Sequence, residues 1–194
     1  MRLSLYRAAF AATMFAAPVA ANAEILSFSG TLTGLAVAGP DASCAPLPFR
    51  GTISPSATVG HSSLGDFTYS HDICLSGPNG PSGGSFTIDF GTDSFFGTLD
   101  GGATPTATLG IADVSWTYTI LGGTGRFLDA SGSFAGVGTN DARTRPSQLN
   151  ETLTGNIDAP AVPEPGTWGL MVLGFAAVGL SIRRARGGKL AQLA

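Results

Sequence analysis

Between residues 24 and 158 apolar side chains never recur at helical spacing over any long stretch. They come in short alternating or apolar runs instead, at residues 25–33, 49–58, 67–75, 85–90, 94–99, 114–121, 133–138 and 149–157. Runs of this length, with every second side chain apolar, predict half-buried β-strands. Between them stand turn-forming groups: Gly39-Pro40-Asp41, Asn79-Gly80-Pro81, Asp100-Gly101-Gly102 and Gly122-Gly123-Thr124-Gly125. About eight strands so spaced predict an all-β domain over residues 24–158, an antiparallel β-barrel or a sandwich. Barrel closure would remove the exposed strand edges that otherwise invite aggregation.

The pattern changes at both ends. Arg2 and Arg7 precede a stretch without charge, residues 8–23, that is rich in Ala, Phe and Met and interrupted by Pro18. Ala21-Asn22-Ala23 supplies small residues at the spacing a signal peptidase reads, so residues 1–23 are expected to be a signal peptide cleaved before Glu24. At the other end, residues 165–182 carry no charge, Trp168 stands at the upstream edge, and Arg183, Arg184 and Arg186 follow at once. That order predicts an extended linker over 159–167, a single transmembrane helix over 168–182 and a basic cytoplasmic tail over 183–194.

Composition agrees with a folded, exported domain. Hydrophobic residues make up 43% of the chain and charged ones 12%, with 28 glycines, so the low-hydrophobicity signature of disorder is missing. All 13 acidic residues lie between Glu24 and Glu164, opposed there only by Arg50, Arg126, Arg143 and Arg145. An acidic, lysine-free domain lacks the clustered cations that nucleic acid requires. Cys44 and Cys74 are the only cysteines. In an oxidising compartment after export they are expected to form one disulfide.

The C-terminal segment resembles a known family. Val162-Pro163-Glu164-Pro165, then Trp168, the apolar run and Arg183-Arg184-Ala185-Arg186 look like the PEP-CTERM sorting signal of Gram-negative bacteria. The resemblance implies processing by an exosortase, a membrane transpeptidase, with Pro163, Glu164 and Pro165 as recognition residues. It also implies a place at the cell surface or in the extracellular matrix, with exopolysaccharide and biofilm as the usual association. A second, shorter resemblance covers residues 114–138. The stretch Tyr118-Thr119-Ile120-Leu121-Gly122-Gly123-Thr124-Gly125-Arg126-Phe127 is similar to a hairpin of allene-oxide-cyclase-like and dirigent-like β-barrels. That likeness implies a fold and carries over no catalytic residue.

Candidate chemistry inside the domain is sparse. His61, Asp66, His71 and Asp72 fall close together, but their spacing matches no metal site and a solvated polar stretch is the plainer reading. Asp89, Asp93, Asp100 and Asp113 are scattered carboxylates of the kind that glycosidic hydrolysis pairs. Gly-Gly-Thr-Gly lacks the Lys-Ser/Thr of a phosphate loop, and glycine turn geometry explains it. No catalytic constellation, metal site or cofactor is expected. The leading expectation is an exported, non-enzymatic surface protein, with signal peptidase and exosortase as processing enzymes and the membrane and extracellular polysaccharide as expected partners. The alternative is an envelope-anchored barrel that binds or isomerises an apolar small molecule, which an internal cavity with converging polar groups would favour.

Overall fold

The structure, a computed structural model, describes residues 23–77, 80–160 and 165–190. Residues 1–22 of the predicted signal peptide, Ala21 at its cleavage site among them, and the motif residues Val162, Pro163 and Glu164 lie outside them. Eight antiparallel strands form a closed barrel in simple sequence order. They are β1 (Ala23–Pro40), β2 (Phe49–Ser62), β3 (Gly65–Leu75), β4 (Pro81–Asp89), β5 (Ser94–Pro105), β6 (Ile111–Thr124), β7 (Ser131–Asp141) and β8 (Ser147–Pro160). β1 pairs with β2 on one side and β8 on the other, from Ala23 opposite Pro160 to Ala36 opposite Ser147. Closure decides between the barrel and the sandwich.

Alternation builds the interior. On β6 the inward series is Ala112, Val114, Trp116, Tyr118 and Ile120, each buried, while the residues between them face solvent. One end of the barrel is solid. There Phe28, Phe67, Phe90, Phe95, Phe127 and Phe134 meet in tilted and edge-on contacts, with ring centroids 5.0 Å apart for Phe28–Phe134 and 5.2 Å for Phe95–Phe127. Edge-to-face packing suits the aromatic quadrupole and adds to the area buried. The β6–β7 connection closes this end. Gly125 turns with φ 59°, and Arg126 lies over the rings of Phe90 and Phe127 while its Nη2 donates to Leu64 O at 2.8 Å. This is what the Gly-Gly-Thr-Gly-Arg-Phe stretch does in the fold.

One predicted turn lies wholly inside a strand, and in another Gly122, Gly123 and Thr124 still pair with β5, leaving Gly125 to make the turn. Asp100, Gly101 and Gly102 lie inside β5, paired with β6. A Cβ on Gly101 would come within 2.1 Å of Ser115 O and 2.9 Å of the Trp116 ring. The glycine permits close strand approach beside a large indole, a need indistinguishable by composition from a turn.

Cys44 and Cys74 form the expected disulfide, Cα atoms 5.3 Å apart. It ties the short 3-10 turn Ala42–Cys44, in the β1–β2 connection, to the end of β3. Closing 30 residues of separation is worth roughly 3–4 kcal/mol in the chain-entropy account. The double variant Cys44→Ser/Cys74→Ser is therefore expected to lose about 3 kcal/mol in guanidinium unfolding, and an unchanged midpoint would exclude that contribution.

Helix α1 (Pro165–Leu190) follows the barrel. It starts three residues before the predicted helix, with Pro165 in its first turn, where a missing amide donor costs nothing. The transmembrane expectation over 168–182 needs correcting: among the described residues no helix is long and apolar enough to cross a membrane. The densely apolar block, residues 170–180, makes only about 16 Å of helix against a ~30 Å hydrocarbon core. Outside that block the uncharged run is Pro165, Gly166, Thr167, Trp168, Gly169, Ser181 and Ile182, mostly small or polar residues that add length with little apolarity.

Candidate functional site

The barrel ends differ. At the end opposite the phenylalanine cluster, where the β1–β2, β3–β4, β5–β6 and β7–β8 connections meet, the lumen opens into a cavity of about 710 Å³. Phe49, Ile73, Val114, Trp116 and Leu149 make its apolar walls, Leu109 and Arg145 stand on its rim, and His71 lies at depth. A volume of this size, mostly apolar with a few polar groups, is typical of a small-molecule site.

Behind the cavity the inward positions of three strands converge on a polar cluster, of which His71 and Trp116 line the cavity itself. β3 supplies Tyr69 and His71, β6 supplies Trp116 and Tyr118, and β8 supplies Glu151 between Leu149 and Leu153. They form a continuous hydrogen-bonded string. The Tyr118 hydroxyl donates to Glu151 Oε2 at 2.9 Å, the Tyr69 and Tyr118 hydroxyls are 3.3 Å apart, and the Tyr69 hydroxyl is 2.9 Å from His71 Nδ1. Thr58 fixes Tyr69 where the β2–β3 register breaks, accepting from its amide at 2.9 Å and reaching its carbonyl at 3.1 Å. Phe134 stacks on Tyr118 at 4.4 Å, and at Gly136 a Cβ would lie 2.8 Å from the Tyr118 ring and 3.0 Å from Glu151 Oε2. The glycine leaves room for the string.

Burial sets its electrostatics. Glu151 is 4% exposed, and loss of water pushes its carboxyl up to about 7, against hydrogen bonds from Tyr118 and Trp116 that favour the charged form. Burial lowers His71 to about 4, Asp72 opposing weakly. Both tyrosines are driven well above the usual phenol value, chiefly by desolvation. A carboxyl and an imidazole whose ionisation is displaced in opposite directions, joined by hydroxyls, are what proton-handling sites use. Ser82 Oγ and Asn140 Oδ1 also line the cavity and are buried without a hydrogen-bond partner among the described residues. Buried polar atoms are rarely left unmatched.

The sequence candidates fare unevenly. His61 and Asp66 pair across the β2–β3 hairpin, Nδ1 to Oδ1 2.7 Å, on the exposed outer wall. His71 points inward, whereas its neighbour Asp72 points outward to an ion pair with Arg50. Alternation thus splits the four residues between two faces. Asp89 and Asp93 serve turns, accepting from Gly91 N at 2.6 Å and Arg126 N at 3.1 Å. None of Asp89, Asp93, Asp100 and Asp113 lines the cavity. Tyr69, Tyr118 and Glu151 were missed by sequence reasoning. Their signal was present: a Glu in the inward phase of β8, in step with Leu149 and Leu153.

The first and last residues of the barrel lie at its solid end. Ala23 and Pro160 are paired there, so the segment leading to the tail leaves opposite the cavity mouth. Beyond it, the family model described as the PEP-CTERM protein-sorting motif matches residues 161–185. The chain carries a PEP-CTERM sorting motif. The matched stretch takes in Val162, Pro163, Glu164, Pro165, Trp168, Arg183 and Arg184, with Arg186 one residue past it. The PEP-CTERM motif supports export and sorting by an exosortase. No curated protein matches the chain, and neither does any solved structure. The eight-stranded barrel fits the architecture implied by the resemblance of residues 114–138, with no matched structure beside it to place it in that family.

Proposed function

We propose that this is an exported binding protein of a Gram-negative cell surface, and that its barrel holds an apolar small molecule bearing a polar group. The cavity carries this reading: about 710 Å³ of mainly apolar space, open at one mouth, with His71 at depth and unmatched Ser82 and Asn140 atoms on its wall. The solid aromatic end supplies a packed core in which no ligand takes part, leaving the other end free to bind. Signal-peptidase cleavage before Glu24 would leave β1 nearly whole. The tail leaves from the solid end, so attachment through it, before or after exosortase processing near Pro163–Pro165, turns the mouth away from the attachment point. The outer wall, rich in Ser and Thr, suits contact with exopolysaccharide in the surrounding matrix.

Filling the cavity tests the reading. Ala112 is inward on β6 and lines the mouth. Ala112→Phe is expected to lower affinity for 2-naphthol, measured by calorimetry, at least ~10-fold while the thermal transition stays cooperative. Equal affinity in a folded Ala112→Phe chain would overturn cavity binding. Sorting is tested separately, by intact mass in hosts with and without an exosortase. Loss of the tail near Pro163–Pro165 is expected only where the enzyme is present, and an intact tail in both would overturn it.

A further inference from the structure

Counting protons along the buried string leads to a chemical role for the cavity. A tyrosine hydroxyl has a single hydrogen to donate. Tyr118 spends its hydrogen on Glu151 Oε2 when that carboxyl is ionised. The contact between the two hydroxyls then needs the hydrogen of Tyr69. With that hydrogen committed, the 2.9 Å contact between Tyr69 and His71 must be donated by Nδ1–H. The neutral ring has one proton, so Nε2 is left as a bare lone pair on a ring that lines the cavity.

A proton on Glu151 reverses every link. The carboxylic acid donates to Tyr118, Tyr118 to Tyr69, and Tyr69 to Nδ1, which moves the imidazole hydrogen to Nε2. The end group seen by a ligand changes from acceptor to donor while the ring stays neutral.

We infer that His71, Tyr69, Tyr118 and Glu151 form a proton relay, with His71 Nε2 exchanging a proton with the weakly acidic hydroxyl of a phenol or enol seated in the cavity. The inference takes its ligand from the binding reading above, but its switch exists in the protein alone. In the forward step the ligand O–H bond breaks and Nε2–H forms. Nδ1 passes its hydrogen to the Tyr69 oxygen, Tyr69 to Tyr118, and Tyr118 to Glu151 Oε2. One negative charge moves from Glu151 to the ligand oxygen, and no oxidant, reductant or further reactant is needed. His71 is the residue that touches the ligand; Tyr69, Tyr118 and Glu151 act through it.

The ligand class follows from the walls and the end group together. Ile73, Val114, Trp116 and Leu149 call for an apolar body, and a lone pair at depth calls for an acidic hydrogen. The surroundings of the string are simple. Leu32 on β1 and Gly138 on β7 stand in register with Glu151. The titratable groups acting on the string are its own members, with Asp72 acting on His71 from the outer wall.

Nitrogen-15 spectra of the His71 ring in the full chain test the switch without any ligand, and exposed His61 is the internal reference. Expected is the Nδ1–H tautomer with a bare Nε2 at pH 8.5 and the Nε2–H tautomer, still neutral, at pH 5.5. In Glu151→Gln and Tyr69→Phe the pH-driven change is lost. One unchanged tautomer across that range in the wild type, or a ring that becomes imidazolium in the middle of it, overturns the relay. The ligand half is read at pH 8 with 4-nitrophenol and 4-nitroanisole by calorimetry in two buffers of different ionisation enthalpy. Binding of the nitrophenolate is expected to take up about one proton in the wild type, none in Glu151→Gln, and none with the anisole. Binding without proton uptake overturns the relay. A tautomer switch in a protein that binds neither probe supports the relay and overturns the binding reading.

Discussion

Replacing Phe95 by alanine is expected to lower the unfolding free energy by about 4 kcal/mol, a large part of what a domain of this size possesses. Phe95 is fully buried and its ring meets those of Phe28, Phe86, Phe90, Phe127 and Phe134. Those neighbours are held by strand pairing and by the Arg126 plug, so they are poorly placed to collapse into the space. Leu149→Ala removes a side chain that is also buried but has the cavity along one side. Fewer contacts are lost there, and the expected cost is about 2 kcal/mol. Guanidinium unfolding of both variants measures the difference. Equal losses would mean that the two ends of the barrel are packed alike, against the division between solid core and cavity.

The second large effect depends on pH. In the folded chain Glu151 ionises at about 7, against 4.5 for an unhindered carboxyl. Between those values the folded protein binds a proton that the unfolded chain has released, so stability falls as pH rises from 4.5 through 7. His71, lowered to about 4 from 6.5, works the other way: its contribution is lost as pH falls from 6.5 through 4. In the wild type the two slopes oppose each other over their shared range. Glu151→Gln keeps the shape, keeps a partner for Tyr118 and removes the titration. Subtracting the curves cancels the His71 term common to both. The variant is expected to be close to wild type at pH 4.5 and to gain on it by the order of 3 kcal/mol by pH 8. A stability difference independent of pH would show that Glu151 does not carry its charge into a dry site.

Much of this fold was legible along the chain, because period-two alternation reports which strand face is buried. Seven of the eight expected runs lie within strands of the barrel, and the eighth, 85–90, overshoots the end of β4 by Phe90 alone. What alternation does not report is strand length, and β1 extends to Pro40 where the expected run ended at residue 33. The Asp-Gly-Gly of β5 was misread because glycine serves both turns and close strand approach. The site was harder. His71 was grouped with His61, Asp66 and Asp72 by closeness in sequence, although alternation places His71 and Asp72 on opposite faces. Glu151 and the two tyrosines are brought together only by closure, which sets β8 and β3 facing across the lumen. The disulfide and the sorting motif were readable because each rests on local identity: two cysteines with no other partner, and a tail whose parts occur in fixed order.

The most direct test of a barrel that is solid at one end and ligand-binding at the other uses Trp116, whose indole lines the cavity. In a Trp168→Phe chain Trp116 is the sole tryptophan. Titration with 2-naphthol is expected to change its emission saturably at one site per chain, with the change lost in Ala112→Phe. A linear, non-saturating response, or the same saturating response in folded Ala112→Phe, would contradict the account.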